Sequence, residues 1–273
     1  MAKAIRAALL YTVLTASALT FIYPFLWMAS ASLKPESEIG SLGLWSNNFS
    51  LRGYYLVFNQ IPIARALFNS LFVSSAITGS VLVFSSMVGY ALARLRFIGR
   101  DLIFGLVLAT MMIPGQLTLI PLYVLIVGLK WTDTYQALIV PGMISNMGIL
   151  VFRQFFRSLP KDLVDAARID GCSDLRILFS IFWPLSKPVL ITVGIITFIG
   201  SWNEVLWPLI VIRKWTLMTM PQMVTLFSVG GLAGAQVAAE MAAAMLLALP
   251  VILAYCVFQK YFIESIALSG IKG

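Results

Sequence analysis

A segment of mixed charge, residues 159–188, interrupts a sequence that otherwise carries few charged residues. Only 11% of the 273 residues are Asp, Glu, Lys or Arg, so this segment is the first place to look for chemistry. The chain has no histidine, which excludes a Ser-His-Asp triad, histidine acid–base catalysis and the usual zinc sites. Its two cysteines, Cys172 and Cys256, lack CxxC spacing and predict no structural disulfide. We therefore expect no catalytic residue and no metal site.

The first half of the charged segment is predicted to form a short helix. Asp162 and Asp165 complement the positive end of a helix dipole, which places the helix start just before them. Gly171 stands where a C-terminal cap with positive φ is expected. Ala166 and Ala167 give this helix a surface of small residues, on which another protein could lie closely.

A second short helix is predicted after the glycine. Ser173 is a suitable N-terminal cap, and Pro184 ends the helix. Between them an apolar stripe is expected from Leu175, Leu178, Phe179 and Phe182. The pattern thus predicts a bent pair of short helices, and it fits equally well an amphipathic hairpin that only connects two membrane spans.

The rest of the chain reads as a polytopic membrane protein. Hydrophobic residues make up 60% of it, and the mean hydropathy is +0.94. Spans need about 20 apolar residues, and six all-α spans are predicted within one domain, residues 1–273. They fall in residues 8–30, 66–93, 102–129, 135–152, 189–212 and 237–258. The first apolar run is too long for the core of a signal peptide, so we interpret it as a retained anchor.

The basic residues predict the orientation of the spans. Most of the 19 lysines and arginines fall on one side if both termini are cytoplasmic, and this side includes residues 159–188. The net charge of +8 is explained by this bias, because the basic residues form no nucleic-acid-binding motif. The sequence therefore predicts a multi-pass membrane protein with both termini cytoplasmic and no nucleic acid as a partner.

The segment "DAARIDGCSDLRILFSIFWPLSKP" resembles the EAA loop of ABC-importer permeases. The matching positions are Asp165, Ala166, Ala167, Gly171, Ile181, Trp183 and Pro184, where Asp165 replaces the family's Glu and Trp183 its Leu. The stretches "FRQFFRSLP", "SWNEVLWPL" and "SGIKG" are similar to the carbohydrate-uptake branch, in particular to its maltose-system permeases. The resemblance covers most of the chain.

This resemblance implies a type I importer permease of six helices, located in a bacterial or archaeal plasma membrane, whose EAA loop is a coupling helix. Its partners would be a homologous second permease, two ATPase subunits, an extracytoplasmic substrate-binding protein and membrane lipid. The implied ATPase contacts are Asp165, Ala166, Ala167, Ile169, Asp170 and Gly171 in the loop, with Gly270, Ile271, Lys272 and Gly273 in a cytoplasmic tail, residues 260–273. ATP and Mg²⁺ would be bound by the partners. This chain has no Gly-x4-Gly-Lys-Ser/Thr motif, and no cofactor is expected on it.

Polar residues within the predicted spans are candidates for the substrate path. Trp202, Asn203, Glu204 and Trp207 form the most notable group, since a buried acid in a span is by default functional and tryptophan can stack on a sugar ring. The group fits equally an intramembrane hydrogen-bond network, or a position near the outer water boundary. Gln116, Asn146 and Glu240 are weaker candidates.

Two of the glycines in the second predicted span have a simpler interpretation. Gly79 and Gly89 are expected to allow close contacts between helices rather than to line the path.

Two other classes of function remain open at this point. A self-contained secondary transporter or channel would need inverted repeats or several intramembrane charges as an ion site. An intramembrane enzyme would need paired carboxylates or a histidine. Co-purification of an ATPase separates both from an ABC permease. The sequence does not identify the transported sugar or polyol, nor whether this subunit or its partner holds it.

Overall fold

The structure is a computed structural model that describes the backbone of residues 2–40, 43–46, 48–229, 231, 233–234 and 236–270. Side chains are described for the same residues except 2, 4, 254 and 257–270. This described part is helical and holds no β-strand, so the all-α prediction is confirmed. The helices are α1 Ala2–Ala31, α2 Arg52–Gln60, α3 Ile63–Arg94, α4 Arg100–Met111, α5 Gly115–Gly128, α6 Tyr135–Ile139, α7 Asn146–Ser158, α8 Asp162–Ile169, α9 Asp174–Ile177, α10 Trp183–Leu185, α11 Lys187–Trp202, α12 Leu206–Val211, α13 Met220–Val229 and α14 Val237–Gly270.

Several of these helices are apolar enough to cross a membrane. Ile5–Ala31 and Ile63–Arg94 are each long enough, and so is Tyr135–Ser158, which comprises α6, a 3₁₀ turn and α7. Two more spans result if each bent pair counts as one: α4 with α5, bent by 102°, and Asp174–Leu185 with α11, bent by 89°. Val237–Leu253 of α14 is a shorter apolar helix. The predicted multi-pass membrane chain is therefore confirmed in its helical, apolar character.

The bend between α4 and α5 has a cause in the sequence. Pro114 is the N-terminal cap of α5, with φ −58° and ψ 128°. Proline disfavours helical geometry at the residue before it and lacks the N–H that would continue the preceding helix. The predicted third span, residues 102–129, is thus broken near its middle.

The chain divides into two compact units. The smaller unit comprises residues 1–63 and 223–253, and the larger comprises residues 64–222 and 254–273. The single-domain organisation predicted for residues 1–273 stays a prediction.

In the smaller unit an acidic side chain caps a helix that is distant in sequence. The Glu36 carboxylate accepts hydrogen bonds from the backbone N–H groups of Val237, at 2.7 Å, and Ala238, at 3.1 Å. These are the first N–H groups of α14, which lack partners within the helix. Glu36 therefore joins the segment after α1 to the start of α14.

In the larger unit an aromatic cluster joins three parts of the chain. The ring of Tyr90 in α3 packs edge-on against Phe156 of α7 and against Phe182. The distances between ring centroids are 6.3 Å and 5.2 Å. Phe156 and Phe182 meet at 5.3 Å, also edge-on, and all three rings are buried. Such pairs contribute about 0.5–1.5 kcal/mol each beyond burial. The cluster fastens the end of the charged segment to α3 and α7.

Gly89 allows α3 to approach α7 closely. A Cβ built at Gly89 would lie 2.7 Å from the Phe152 Cβ and 3.0 Å from the backbone nitrogen of Arg153. No side chain fits there, and the packing role predicted for Gly89 is confirmed. Gly79 makes no such contact within the described chain, because a Cβ there would meet no atom within 4 Å.

Candidate coupling surface

Helix α8 ends in a motif that reverses the chain at Gly171, whose φ is 75°. The Gly171 N–H donates to the carbonyl of Arg168 at 3.0 Å, and the Cys172 N–H donates to the carbonyl of Ala167 at 2.9 Å. This pair of bonds is a Schellman cap. A Cβ at Gly171 would meet no atom within 4 Å, so backbone conformation alone requires glycine. The positive φ predicted for this residue is confirmed.

One face of α8 is exposed and combines acidic, small and apolar side chains. Asp162, Asp165, Ala166 and Ile169 follow i, i+3, i+4, i+7 spacing, which places them on one side of the helix. All four are exposed, and Ile169 is 87% exposed. Asp170, at the C-terminal cap, is exposed as well. An isoleucine this exposed beside an alanine forms a small apolar patch ringed by carboxylates.

The structure places Ala167 differently from the other predicted contact residues. Its side chain is 5% exposed and lies in the core cluster with Val164, which is also 5% exposed. The two are three positions apart, so they share the inner face of α8. A direct contact from the Ala167 side chain to a partner does not fit this burial. Its methyl group packs into the core on the inner face of α8, and Ala166 is the alanine that faces outward.

Helix α9 begins at the predicted cap. The Oγ of Ser173 accepts a hydrogen bond from the backbone N–H of Arg176 at 3.4 Å. After one turn α9 passes into a π-helical segment, Leu178–Phe182. A π turn contains an extra residue, and it turns the following side chains away from the 3.6-residue period.

The buried stripe after Ser173 differs from the predicted one. Ile177, Leu178 and Phe182 are at most 1% exposed, whereas Leu175 is 55% and Phe179 37% exposed. The prediction for Leu175 and Phe179 is therefore wrong. Helix α9, before the π turn, is only four residues long and has one buried side chain, that of Ile177.

Asp174 connects the two short helices to α3. Its Oδ1 accepts hydrogen bonds from Arg168 Nη2, at 3.0 Å, and from the Tyr90 hydroxyl, at 3.2 Å. The hydrogen bond from Arg168 and the charge of Asp174 raise the pKa of the Arg168 guanidinium. The turn at Gly171 is thus bridged by an ion pair, and the pair is tied to the end of a long apolar helix.

Trp183, one of the two departures from the family pattern, makes a second connection to α3. Its indole N–H donates to the Ser86 hydroxyl at 3.0 Å, and Phe179 packs edge-on against it at 5.0 Å. Arg94, at the end of α3, donates to the carbonyls of Phe156 and Leu159. Three side-chain connections therefore hold the loop against the last turns of α3.

The two tryptophans proposed for the substrate path are packing residues within this chain. Trp202 is 1% exposed and stacks on Phe198 at 6.0 Å. Trp207 is 9% exposed, and its indole N–H donates to the carbonyl of Ala137 at 2.8 Å. Neither ring offers a free face to a sugar in this arrangement.

Asn203 and Glu204 lie in a break between α11 and α12, not inside a continuous span. Both are exposed. Glu204 Oε1 accepts a hydrogen bond from the backbone N–H of Trp207 at 3.0 Å and so caps α12. Asn203 Nδ2 donates to the carbonyl of Ile199 at 3.0 Å. The predicted fifth span, residues 189–212, is therefore interrupted at Glu204, because the helix ends at Trp202 and resumes at Leu206. The role predicted for Glu204 in the substrate path stays a prediction.

The weaker candidates are separate from this group along the chain. Gln116 is exposed in the first turn of α5. Asn146, at the start of α7, donates to the Thr110 hydroxyl of α4 at 3.0 Å. The tail residues lie at the limit of the described chain. Gly270 ends α14, and Ile271, Lys272 and Gly273 lie outside the described residues.

Sequence reasoning missed Asn69, which is fully buried in α3. Its Nδ2 donates to the carbonyls of Thr216, at 3.0 Å, and Met218, at 2.9 Å, and its Oδ1 accepts from the Tyr135 hydroxyl at 2.7 Å. The signal was available: a carboxamide in an otherwise apolar span needs partners. Asn69 holds the segment between α12 and α13 against α3.

Comparison with solved structures identifies the fold. The chain superposes with a TM-score of 0.82 on a subunit described as a "bacterial ABC transporter involved in the import of the acidic polysaccharide alginate". The match covers 96% of this chain and 98% of that one, at 24% identity. At this identity the likeness shows the fold, which is that of a type I importer permease, as the EAA resemblance predicted.

Comparison of sequences identifies the family. Residues 81–267 match "Binding-protein-dependent transport system inner membrane component", and the chain belongs to that family. It is 38% identical to the arabinooligosaccharides transport system permease protein AraQ of Bacillus subtilis, over 93% of this chain and 92% of the relative. It is 36% identical to the sn-glycerol-3-phosphate transport system permease protein UgpE of Pectobacterium atrosepticum, over 65% and 63%. The chain is thus a transport subunit of an ABC importer.

Proposed function

We propose that this chain moves a carbohydrate or polyol across the membrane by alternating access, with ATP hydrolysed by partner subunits. The relatives named for arabinooligosaccharides and for sn-glycerol-3-phosphate support this substrate class. The assembly contains a homologous second permease, two ATPases that bind ATP and Mg²⁺, and an extracytoplasmic binding protein. Both termini of this chain are cytoplasmic.

The exposed face of α8 carries this proposal. Asp165, Ala166, Ile169 and Asp170 project from a hinge that three side-chain connections fasten to the end of α3. An exposed isoleucine flanked by carboxylates fits a partner pocket with an apolar floor and a basic rim. A push on this face is transmitted to α3 because the connections are short and buried on their inner side. We propose that Gly270 to Gly273 make a second contact with the ATPases.

The contact is tested by Ile169→Glu in the full complex. Because Ile169 is 87% exposed, the substitution does not disturb packing within this chain. Loss of a central apolar anchor costs about 2 kcal/mol or more, so the affinity for the ATPase should fall roughly thirtyfold. Arg176→Glu, an exposed site on α9 off the proposed face, is the control. Undiminished co-purification of the ATPase with Ile169→Glu would exclude this face as the contact.

The orientation is tested by a single cysteine at Ala166, in a background with Cys172→Ser and Cys256→Ser. We expect no reaction with a membrane-impermeant thiol reagent outside intact cells, and rapid reaction in inverted vesicles stripped of ATPase. Adding back the ATPase should protect the cysteine. Ala167→Cys, on the buried inner face of α8, should react slowly in both preparations. Labelling of Ala166→Cys from outside would reverse the proposed topology.

For the substrate path we propose the exposed polar pair Asn203 and Glu204, with Gln116 and Asn146 as further contacts. Carboxylates and carboxamides bind sugar hydroxyls by hydrogen bonds. Trp202 and Trp207 act behind this pair as packing, which differs from the stacking role expected for them. Ligand titration of the cognate binding protein would identify the substrate, and a ligand that is neither carbohydrate nor polyol would contradict the proposal.

A further inference from the structure

A cavity of about 1020 Å³ in the larger unit is lined mainly by basic side chains. It lies between the end of α3, the start of α4, the end of α7 and the first turn of α8. The basic residues are Arg94, Arg96, Arg100, Arg153, Arg157, Lys161 and Arg168, and the acids among its lining residues are Asp165 and Asp174. So many cations around one cavity indicate an anionic occupant.

Arg153 is the deepest cation of the cavity. It lies five residues before the end of the apolar span Tyr135–Ser158 and is only 9% exposed. Its guanidinium carbon stands 3.5 Å from the ring centroid of Phe104, and its Nε has no hydrogen-bond partner among the described residues. An arginine inside a span is costly unless a counter-charge reaches it.

No described acid forms an ion pair with Arg153. The charges of Asp101 and Asp165 act on Arg153 and Arg94 without pairing with them, and Asp101 pairs with Arg100. Asp174 is engaged by Arg168 and Tyr90, and within the described chain no ion pair joins Arg94, Arg153 or Arg157 to a carboxylate. The Nε of Arg94 is buried without a partner as well. The Nε groups of Arg94 and Arg153 are thus buried beside one cavity without an acceptor, and an anion in that cavity would supply the counter-charge that their guanidinium groups lack.

Exposed apolar side chains adjoin the cavity on the side of α4. Phe97, which lines it, is 41% exposed, and the next residue, Ile98, is fully exposed. Leu102 is 70% exposed and lines a smaller recess that shares Arg96, Phe97 and Arg100 with the cavity. A row of exposed apolar residues beside a basic cavity matches a molecule with a phosphate next to hydrocarbon chains.

We infer that this cavity binds the headgroup phosphate of an anionic phospholipid, whose acyl chains lie along α4. The inference depends on the proposed topology, which places the cavity at the cytoplasmic leaflet, where basic pockets between spans bind anionic headgroups. An acidic surface of the ATPase is the competing occupant. A protein docked on Ile169 would meet Lys161 and Arg168 at the rim, whereas Arg153 lies within the apolar span at headgroup depth.

The test measures lipid retained by the purified complex in native mass spectrometry, after addition of phosphatidylglycerol or phosphatidylcholine. Arg157→Gln removes an exposed cation of the cavity without affecting the core, and Arg153→Gln removes the deepest one. Each loss should reduce retained phosphatidylglycerol roughly fivefold and leave phosphatidylcholine unchanged. Arg153→Lys should restore part of the retention. Arg213→Gln, which neutralises an exposed arginine elsewhere, is the control.

Equal retention of the two lipids by the unmodified complex, or equal retention of phosphatidylglycerol by both glutamine variants and the unmodified complex, would overturn the lipid site. Loss of ATPase co-purification in Arg157→Gln, with lipid retention unchanged, would assign the cavity to the ATPase instead. Failure of the proposed function is recognised separately, because it appears as unaltered ATPase binding in Ile169→Glu, whichever lipid is present.

Discussion

The hydroxyl of Tyr90 donates a 3.2 Å hydrogen bond to the Asp174 carboxylate and so joins the last turn of α3 to the first turn of α9. In the same helix, Asn69 holds the backbone of Thr216 and Met218. The two residues are separated by about 31 Å along one continuous helix. α3 therefore contacts the candidate coupling loop at one end and the segment between α12 and α13 at the other, which is the arrangement needed to transmit a displacement between them.

Removing the Tyr90 hydroxyl should make local opening of the candidate coupling loop, residues 159–188, more frequent without disturbing the core. Tyr90→Phe keeps the ring contacts with Phe156 and Phe182 but loses the donor to Asp174. Such a bond contributes about 1 kcal/mol, or roughly fivefold in a local opening equilibrium. We expect amide hydrogen exchange of α9 to rise by that factor, with ATPase stimulation reduced. Tyr55→Phe, at an exposed ring, is the matched control, and equal exchange in both variants would contradict the connection.

Gly171 should be sensitive to any side chain because of its φ alone. The left-handed conformation costs a non-glycine residue roughly 1–2 kcal/mol, and no neighbouring atom adds a clash. Gly171→Val should therefore lower substrate-stimulated ATPase activity and uptake, whereas Gly171→Asn, which tolerates this conformation, should be milder. Gly105→Ala, at an uncrowded helical site, controls for the added methyl group. If Val and Asn behave alike in reconstituted vesicles, the hinge is not the sensitive feature.

These residues also show which parts of the structure local sequence patterns predict. The caps at Gly171 and Ser173 were predictable because a cap depends on a few neighbouring backbone groups. The burial of Ala167 and the exposure of Leu175 and Phe179 were not predictable. They depend on the π turn and on packing against α3, whose Tyr90 lies 84 positions before its partner Asp174.

The substrate path shows the same division. Hydropathy predicted an apolar stretch around Glu204, but it could not reveal that the helix breaks at Asn203 and exposes both residues. Likewise, the partners of Asn69 lie 66 to 149 positions further along the chain. Only tertiary contacts show that such a residue connects distant segments by buried hydrogen bonds.

Acidification should release the segment that Asp133 holds. Its Oδ1 accepts from the backbone N–H groups of Arg213, at 2.6 Å, and Lys214, at 2.8 Å. Desolvation acts to raise the pKa of Asp133, but these hydrogen bonds and the two positive charges outweigh it and lower the pKa. A lowered folded-state pKa means that the stabilisation is present above the ordinary value and is lost as the pH falls through the folded-state value.

We therefore expect the amides of Arg213 and Lys214 to lose protection from hydrogen exchange below about pH 4, after correction for the intrinsic rate. Asp133→Asn cannot titrate, and asparagine tolerates the φ of 58° found there. In that variant the protection should be lower at neutral pH and should show no acid step. An acid step of the same size in Asp133→Asn would mean that another group controls the segment.

Glu204 combines a structural contact with the position expected of a substrate ligand, and two substitutions separate these roles. Its carboxylate caps α12 through the Trp207 N–H at 3.0 Å, yet the side chain is exposed. Glu204→Gln keeps an acceptor oxygen for the cap, so assembly and basal ATPase activity should be unchanged. Glu204→Ala removes the cap and should cost about 1 kcal/mol of stability.

If Glu204 also binds substrate, Glu204→Gln should already raise the KM for uptake, because a neutral amide is a weaker acceptor for sugar hydroxyls than a carboxylate. Normal uptake kinetics in Glu204→Gln, with instability confined to Glu204→Ala, would leave Glu204 with the capping role alone.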